Sequence, residues 1–264
     1  MQTSRSPSRG ALLTLDRGIR VLEEIARADG LGTAKSIGVA VDIKPGTIYQ
    51  ILRTLQTSGY VHRLPGGRYQ LGSRIAFLID HYEAQSATPQ VIVDQLQELH
   101  RLTDETVYAS IASASAVTIV ASYEGTRRLR VGKSTVGYSA YPHARASSKA
   151  FLAFSDPNTI DDYFDDHYLE ALTENTITDW DTLIDRFEEI RQQGFALDRE
   201  ESEVGISCVA TPIIGIDGQP IGAYAAALPA ARFKENVHSI QAALTTASQT
   251  TSIALGYSGP YPPA

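Results

Sequence analysis

Asp42-Ile43-Lys44-Pro45-Gly46-Thr47-Ile48-Tyr49-Gln50-Ile51-Leu52-Arg53-Thr54-Leu55 is the stretch on which the reading of this chain turns. Pro45 suits the first position of a helix, where the N–H it lacks would have no partner anyway. Ile48, Ile51, Leu52 and Leu55 follow at i, i+3, i+4 and i+7, which makes one apolar face. The far side carries Gly46, Gln50, Arg53 and Thr57, flanked by Thr47, Tyr49 and Thr54. That side bears one charge and many hydrogen-bonding groups. It fits a DNA major groove, where Gln suits adenine and Arg suits guanine or phosphate. An ordinary amphipathic helix with a solvated outer face has the same pattern, so the neighbouring sequence decides.

Upstream, Leu15, Ile19, Leu22 and Ala26 recur at helical spacing, and Gly30 marks the end of that helix. Thr33 is placed to cap a second helix through Lys35, Ile37 and Ala40, and Asp42-Ile43 turns the chain into the quoted stretch. Three helices with a tight turn before the last is helix-turn-helix order. Downstream, Tyr60-Val61-His62-Arg63-Leu64 and Arg68-Tyr69-Gln70-Leu71 flank Pro65-Gly66-Gly67, which predicts a β-hairpin. On a helix-turn-helix such a hairpin is a wing, with Arg63 and Arg68 placed for phosphate or the minor groove.

These segments together resemble the DNA-binding domain of IclR-type bacterial transcriptional regulators. The resemblance is carried by Leu15-Asp16-Arg17-Gly18-Ile19-Arg20-Val21-Leu22-Glu23, Thr47-Ile48-Tyr49 with Leu52 and Leu55, Gly59-Tyr60-Val61 and Tyr69-Gln70-Leu71-Gly72. The family usually has Pro-Lys-Ser where this chain has Lys44-Pro45-Gly46, a departure that bears on the operator sequence. The DNA-contacting set expected here is Lys44, Gly46, Thr47, Tyr49, Gln50, Arg53, Arg63 and Arg68.

Bulk properties agree. The chain has 264 residues, of which 43% are hydrophobic, enough for two domains with real cores. Its net charge of −7 is unevenly spread: residues 1–85 hold 11 Lys/Arg against 7 Asp/Glu, and residues 86–264 hold 12 against 23. A basic front and an acidic rear suit a protein in which one domain meets phosphate. A single cysteine excludes an internal disulfide framework and a cysteine-rich zinc site. No signal peptide and no spanning segment is evident, so a cytoplasmic location is expected.

The expected fold class is α+β: an N-terminal winged helix-turn-helix domain, a linker helix and a C-terminal α/β domain. The boundaries are a disordered lead-in at 1–11, the DNA-binding domain at 12–72, the linker helix at 73–86, an effector-binding and oligomerisation domain at 87–257, and a frayed tail at 258–264. In the rear domain, helices are expected from Thr88, across His143 to Phe154, across Trp180 to Arg191 and around Val237 to Ala254. Strands are expected at 106–111, 117–121, Cys208 to Ile214 and Ile221 to Leu228.

The family resemblance continues through His143-Ala144, Lys149-Ala150-Phe151-Leu152-Ala153, and Gly194-Phe195-Ala196-Leu197-Asp198-Arg199-Glu200-Glu201 with Gly205, Cys208-Val209-Ala210, Pro212-Ile213 and Asp217-Gly218. It implies a GAF-like domain that binds a small organic acid or aromatic metabolite, and a dimer or dimer of dimers on a roughly palindromic operator. The family's ligand contacts fall on Ala146, Ser147, Asp198, Cys208, Ala225, Ala227 and Leu129, with Tyr224 beside them. Two serines common on the last strand are replaced by Ala225 and Ala227. That change and the nearby Tyr138, Tyr141 and Tyr224 favour a larger or more aromatic effector. No cofactor is implied. The Asp161-Asp162 and Asp165-Asp166 pairs lack the Gly and closing Glu of a calcium loop, so no metal is expected.

Two other readings remain open on the sequence. Cys208, His143 and Asp198 are the residue types of a nucleophile, base and orienting acid, which would make the rear domain a hydrolase. Alternatively, the rear domain only oligomerises, its pocket having lost its ligand.

Overall fold

The computed structural model describes residues 12–263 apart from 86–87, 114–115, 129–130, 132–133 and 165–167, and leaves aside the side chains of residues 80 and 82–85. The expected lead-in at 1–11 and the candidate Leu129 lie outside the described residues, as do Asp165 and Asp166. The chain divides into two compact units, with the boundary after Ala87.

The first unit opens with α1 (Leu13–Arg27), α2 (Ala34–Ala40) and α3 (Pro45–Thr57). Thr33 caps α2 in a reciprocal capping box with Ser36, which satisfies two backbone donors at the helix start. The turn into α3 is set by Asp42, whose φ of 53° places it in the left-handed region that Asp tolerates. Ile43 N–H then donates to the Gly38 carbonyl at 2.8 Å. Gly38 lets the helices approach: a Cβ there would stand 3.2 Å from the Ile43 carbonyl oxygen. Val21, Ile25, Ile37, Ile48, Ile51 and Leu52 form the core of this unit with Val61 and Tyr69.

The hairpin follows as β1 (Val61–Arg63) and β2 (Tyr69–Leu71), antiparallel, with Arg63 opposite Tyr69. Gly66 and Gly67 both take positive φ at its tip. The wing is fastened to the helices by Tyr69 N–H donating to the Gly32 carbonyl at 2.9 Å. The helix α4 (Arg74–Gln85) closes the unit.

On α1 the structure departs from the sequence pattern. The stripe picked out by spacing is mostly uncovered: Leu15 and Ile19 are 61% and 50% exposed and Ala26 is exposed, while Leu22 packs against the core that Val21 and Ile25 enter. Both sides of α1 are apolar, so periodicity alone could not say which side packs inward.

The second unit begins with α5 (Gln90–Thr103), β3 (Thr106–Ser113) and β4 (Ala116–Tyr123), then α6 (Ala146–Leu152), α7 (Pro157–Asp162) and α8 (Trp180–Gln193). It ends with β5 (Ala196–Arg199), β6 (Ile206–Ile214), β7 (Pro220–Pro229) and α9 (Ala230–Ala254). The sheet runs β4-β3-β7-β6-β5, antiparallel throughout. One face packs on α5 and α9 through Val107, Ala109, Val209, Ile213, Tyr224, Ala226 and Leu228. The other packs on α6 and α8 through Tyr108, Ala196, Cys208, Ala210, Ala223, Ala225 and Ala227. Side chains alternate between faces along each strand. The short strand β5 and helix α7 were not anticipated.

Two expectations are corrected. The last residues are not a frayed end: the Tyr261 hydroxyl donates to the Pro212 carbonyl at 2.6 Å, and a Cβ on Gly194 would stand 2.8 Å from Pro262. One aromatic hydroxyl meeting a strand carbonyl outweighs the coil-like composition around it. Tyr224 is separated from Ala225 and Ala227 by the sheet, since adjacent residues of a strand point to opposite faces.

Tyr224 is fully buried, and its hydroxyl bonds to the Ile92 carbonyl at 3.0 Å and Thr251 Oγ1 at 2.9 Å, joining α5, β7 and α9. Tyr224→Phe leaves both groups short of a partner in a dry setting, and is expected to destabilise the chain by about 1–3 kcal/mol. Urea denaturation at neutral pH measures this; an unchanged midpoint would refute the assignment.

Candidate functional site

The outer side of α3 is open. Lys44, Gly46, Tyr49, Gln50 and Arg53 are exposed and Thr47 is half-buried, while Ile48, Ile51 and Leu52 lie beneath. Among the described residues no hydrogen bond or ion pair engages the side chains of Lys44, Gln50, Arg53 or Arg63. Arg63 and Arg68 are both exposed on the wing, Arg68 reaching only the Pro65 carbonyl at 3.5 Å. Unengaged cations and amides on a rigid helix and a fastened hairpin are ready to contact phosphate and base edges.

The candidate effector residues lie in the second unit, on the sheet face beneath α6. All seven residues of α6 are buried. Ala146 and Ser147 open that helix, and the Ser110 hydroxyl of β3 donates to Ser147 Oγ at 3.3 Å. Asp198 on β5 stands opposite Cys208 on β6, and Cys208 opposite Ala227 on β7. Ala225 pairs with both Ala210 and Tyr108. The structure thus brings Ala146, Ser147, Asp198, Cys208, Ala225 and Ala227 to one face and leaves Tyr224 on the other.

The face also holds charged groups that sequence reading passed over. Lys149 is fully buried and paired with Glu201. Burial pulls its ammonium below the ordinary range, and Glu201 pulls the other way. The signal was a lysine inside Ala146-Ser147-Ser148-Lys149-Ala150-Phe151-Leu152, a segment otherwise free of charge. Asp198 accepts from Glu201 N–H at 2.7 Å, Ser202 N–H at 3.3 Å and the Ser202 hydroxyl. Burial dominates nonetheless and raises its carboxyl to about 6. Arg145, the residue before α6, is 5% exposed and donates to the Val117 carbonyl at 3.1 Å and Ser147 Oγ at 3.3 Å.

Nucleophilic chemistry has no footing here. Burial, reinforced by Asp198, pushes the Cys208 thiol well above its ordinary value, so it stays protonated. The His143 ring is engaged elsewhere, its Nε2 lying 2.9 Å from the Glu170 carbonyl. A cleft of about 620 Å³, lined by Phe154, Trp180, Phe187, Arg191, Gln219 and Pro263 among others, contains none of the expected effector residues. Among the described residues no helix is long and apolar enough to cross a membrane.

A helix-turn-helix unit with an open recognition face, followed by an α/β unit with a polar cluster under one helix, defines a two-domain transcriptional regulator. Residues 14–65 match the IclR helix-turn-helix domain, and residues 86–253 match the family described as bacterial transcriptional regulator IclR C-terminal. The chain belongs to the IclR family of transcriptional regulators, whose members are not enzymes. It is 26% identical over 225 residues to the DNA-binding transcriptional repressor YiaJ of Escherichia coli, covering 84% of this chain and 80% of that protein. The crystal structure of the Thermotoga maritima IclR superposes with a TM-score of 0.71 at 26% identity, over 94% of this chain and all of that one. An IclR homologue from Microbacterium hydrocarbonoxydans, solved with 4-hydroxybenzoate, shares the fold at 20% identity with a TM-score of 0.70, over 92% and 98% of the two chains.

The raised Asp198 carboxyl has a consequence for stability. Between an unfolded value near 3.8 and the folded value of about 6, the folded chain holds a proton that the unfolded chain has lost. Stability contributed by this group therefore falls as pH rises from about 4 to about 6, then levels. In Asp198→Asn that slope disappears, so from pH 4 to pH 7 the variant gains on the parent by up to about 3 kcal/mol. Urea denaturation across this range gives the comparison; parallel curves would contradict the assignment.

Proposed function

We propose that this chain is a cytoplasmic, sequence-specific regulator that docks α3 in the major groove and the wing on the backbone. A small organic acid or aromatic metabolite bound under α6 would modulate that docking. The observation that carries the DNA reading is the outer side of α3: exposed and unengaged at Gln50 and Arg53, over a buried stripe of Ile48, Ile51 and Leu52. Gln50 and Arg53 would read bases, Thr47, Tyr49 and Gly46 would frame the groove, and Lys44, Arg63 and Arg68 would neutralise phosphates.

Two copies would act together on a roughly palindromic operator, as half-site symmetry mirrors protein symmetry. Leu15 and Ile19 support this, since among the described residues nothing covers these apolar side chains of α1. Effector binding would be read out through α4, which follows the wing and precedes the effector unit. For the effector, support comes from the polar groups gathered around Ser147 and Asp198, and from the family's solved complex with 4-hydroxybenzoate. A second reading, a rear unit that only assembles copies, draws on Ala225 and Ala227, methyl groups buried against α6. Thermal shift across organic acids separates the two, because a ligand of the folded state raises its melting temperature.

The decisive measurement is fluorescence anisotropy with DNA from the chain's own upstream region at fixed salt. Arg53→Ala is expected to weaken selective binding at least tenfold, on the order of 1–3 kcal/mol. Its melting temperature should hold, because the side chain is exposed and unengaged. Equal affinity in parent and variant would remove α3 from the groove.

A further inference from the structure

We infer that Arg145 is the anion-recognising residue of the effector site, selecting ligands that carry a carboxylate on an apolar or aromatic body. The inference rests on the effector reading above and names the ligand class of that site.

Arg145 is a buried charge that no carboxylate among the described residues contacts, Asp198 favouring it only from beyond ion-pair distance. The residue is 5% exposed, and among the described residues its guanidinium donates to neutral acceptors only, the Val117 carbonyl and the Ser147 hydroxyl. The Tyr138 ring lies 5.1 Å from its Cζ. Among the described residues no carboxylate pairs with it. Glu201 is taken by Lys149, and Asp198 is held by the backbone of Glu201 and Ser202 and by the Ser202 hydroxyl. An arginine keeps its charge inside a protein and offers five N–H donors; the bonds to Val117 and Ser147 use two of them. A buried charge without an opposite charge in contact is costly to keep out of water. Such a cost is expected where a ligand later supplies the missing anion.

Position gives the ligand its class. Ser147, which accepts from Arg145, also accepts from Ser110 on the sheet face that holds Tyr108, Cys208, Ala225 and Ala227. The next hydroxyl, Ser148 Oγ, is buried with no partner among the described residues. A planar carboxylate matches the guanidinium fork, and the methyl-lined sheet and the Tyr138 ring suit an apolar body. A two-charge ligand would leave its second anion among these apolar groups, so a monocarboxylate is favoured.

The test uses the full-length chain, with benzoate, 4-hydroxybenzoate and pyruvate each set beside its amide: benzamide, 4-hydroxybenzamide and pyruvamide. Binding is followed by calorimetry and thermal shift. At least one acid should bind the parent tenfold or more tightly than its amide. Arg145→Gln should erase that preference, and Arg145→Lys should keep it at reduced affinity, retaining charge without the fork. Without ligand, Arg145→Gln should melt higher by about 2–4 °C, since it removes a buried charge that no carboxylate contacts. Acid binding that persists unchanged in Arg145→Gln overturns this inference and leaves the effector reading intact, as does a lower melting temperature for that variant. Failure of every acid and amide to bind the parent overturns the effector reading and this inference with it.

Discussion

Alternation along β7 is the constraint from which the second unit is built. Ala223, Ala225 and Ala227 face α6, and Tyr224, Ala226 and Leu228 face α5 and α9. Three methyl groups in a row leave room for a helix to settle close against the strand, which is why every residue of α6 is buried. That close approach carries Ser147 and Lys149 inside, and it brings the Arg145 guanidinium, held at the start of the helix, under cover. Larger residues on the α6 face of β7 would lift the helix and return these groups to water. The opposite face is fixed by a different device: Tyr224 reaches across to the α5 backbone and to Thr251, and Thr211 meets Ser248 at 2.7 Å. One side of the sheet is thus tied by aromatic and hydroxyl bonds, and the other is left shallow and charged.

The charges on the shallow side fall into three different states. Lys149 and Glu201 neutralise each other, and a buried pair of this kind contributes little net stability, since desolvation offsets attraction. Asp198 is hydrogen-bonded on both oxygens yet close enough to losing its charge that it titrates at about 6. Arg145 alone has no carboxylate in contact among the described residues, Asp198 acting on it only from a distance. A core selected for stability would have no use for that third state, whereas a site that must distinguish charged from neutral ligands would. The distinction matters for specificity: an aliphatic pocket rejects a wrong isostere weakly, but a buried ionic group left unpaired rejects it strongly.

Much of the first unit was legible because its signals are local. The stripe at Ile48, Ile51 and Leu52, the Thr33 cap with Ser36 three residues on, and the Pro-Gly-Gly hairpin each need only a few neighbouring residues to be recognised. The second unit was legible where periodicity was strong, as in α8 with Leu183, Phe187 and Ile190 buried and Gly194 closing the helix. It was not legible where the answer depends on partners distant in sequence. Tyr224 sits one residue from Ala225, yet only the pairing of β7 with β3 and β6 shows that a sheet lies between them. The four-residue β5 is too short for its own pattern to stand out. Tyr261 reads as coil until the Pro212 carbonyl, far upstream, is seen to accept from it. Arg145 looks like any surface arginine ahead of a helix, and only its bond to the Val117 carbonyl of β4, distant in sequence, shows that it is covered.

The two units divide the work by how their charges are exposed. Arg53 and Arg63 stand in water, where a guanidinium costs nothing to maintain and phosphate attracts it at long range, screened by salt. Arg145 stands inside, where screening is weak and recognition is confined to what can reach it. A ligand that binds under α6 can alter DNA docking only if its affinity differs between the arrangements that fit and misfit the operator. On the proposed reading, balancing a buried guanidinium would provide an energy of the required size, since coupling between sites of roughly 1–3 kcal/mol is enough for a regulator. On the proposed reading the same argument sets stability against discrimination at this position: without Arg145 the fold would be more stable and the switch less able to tell an acid from its amide.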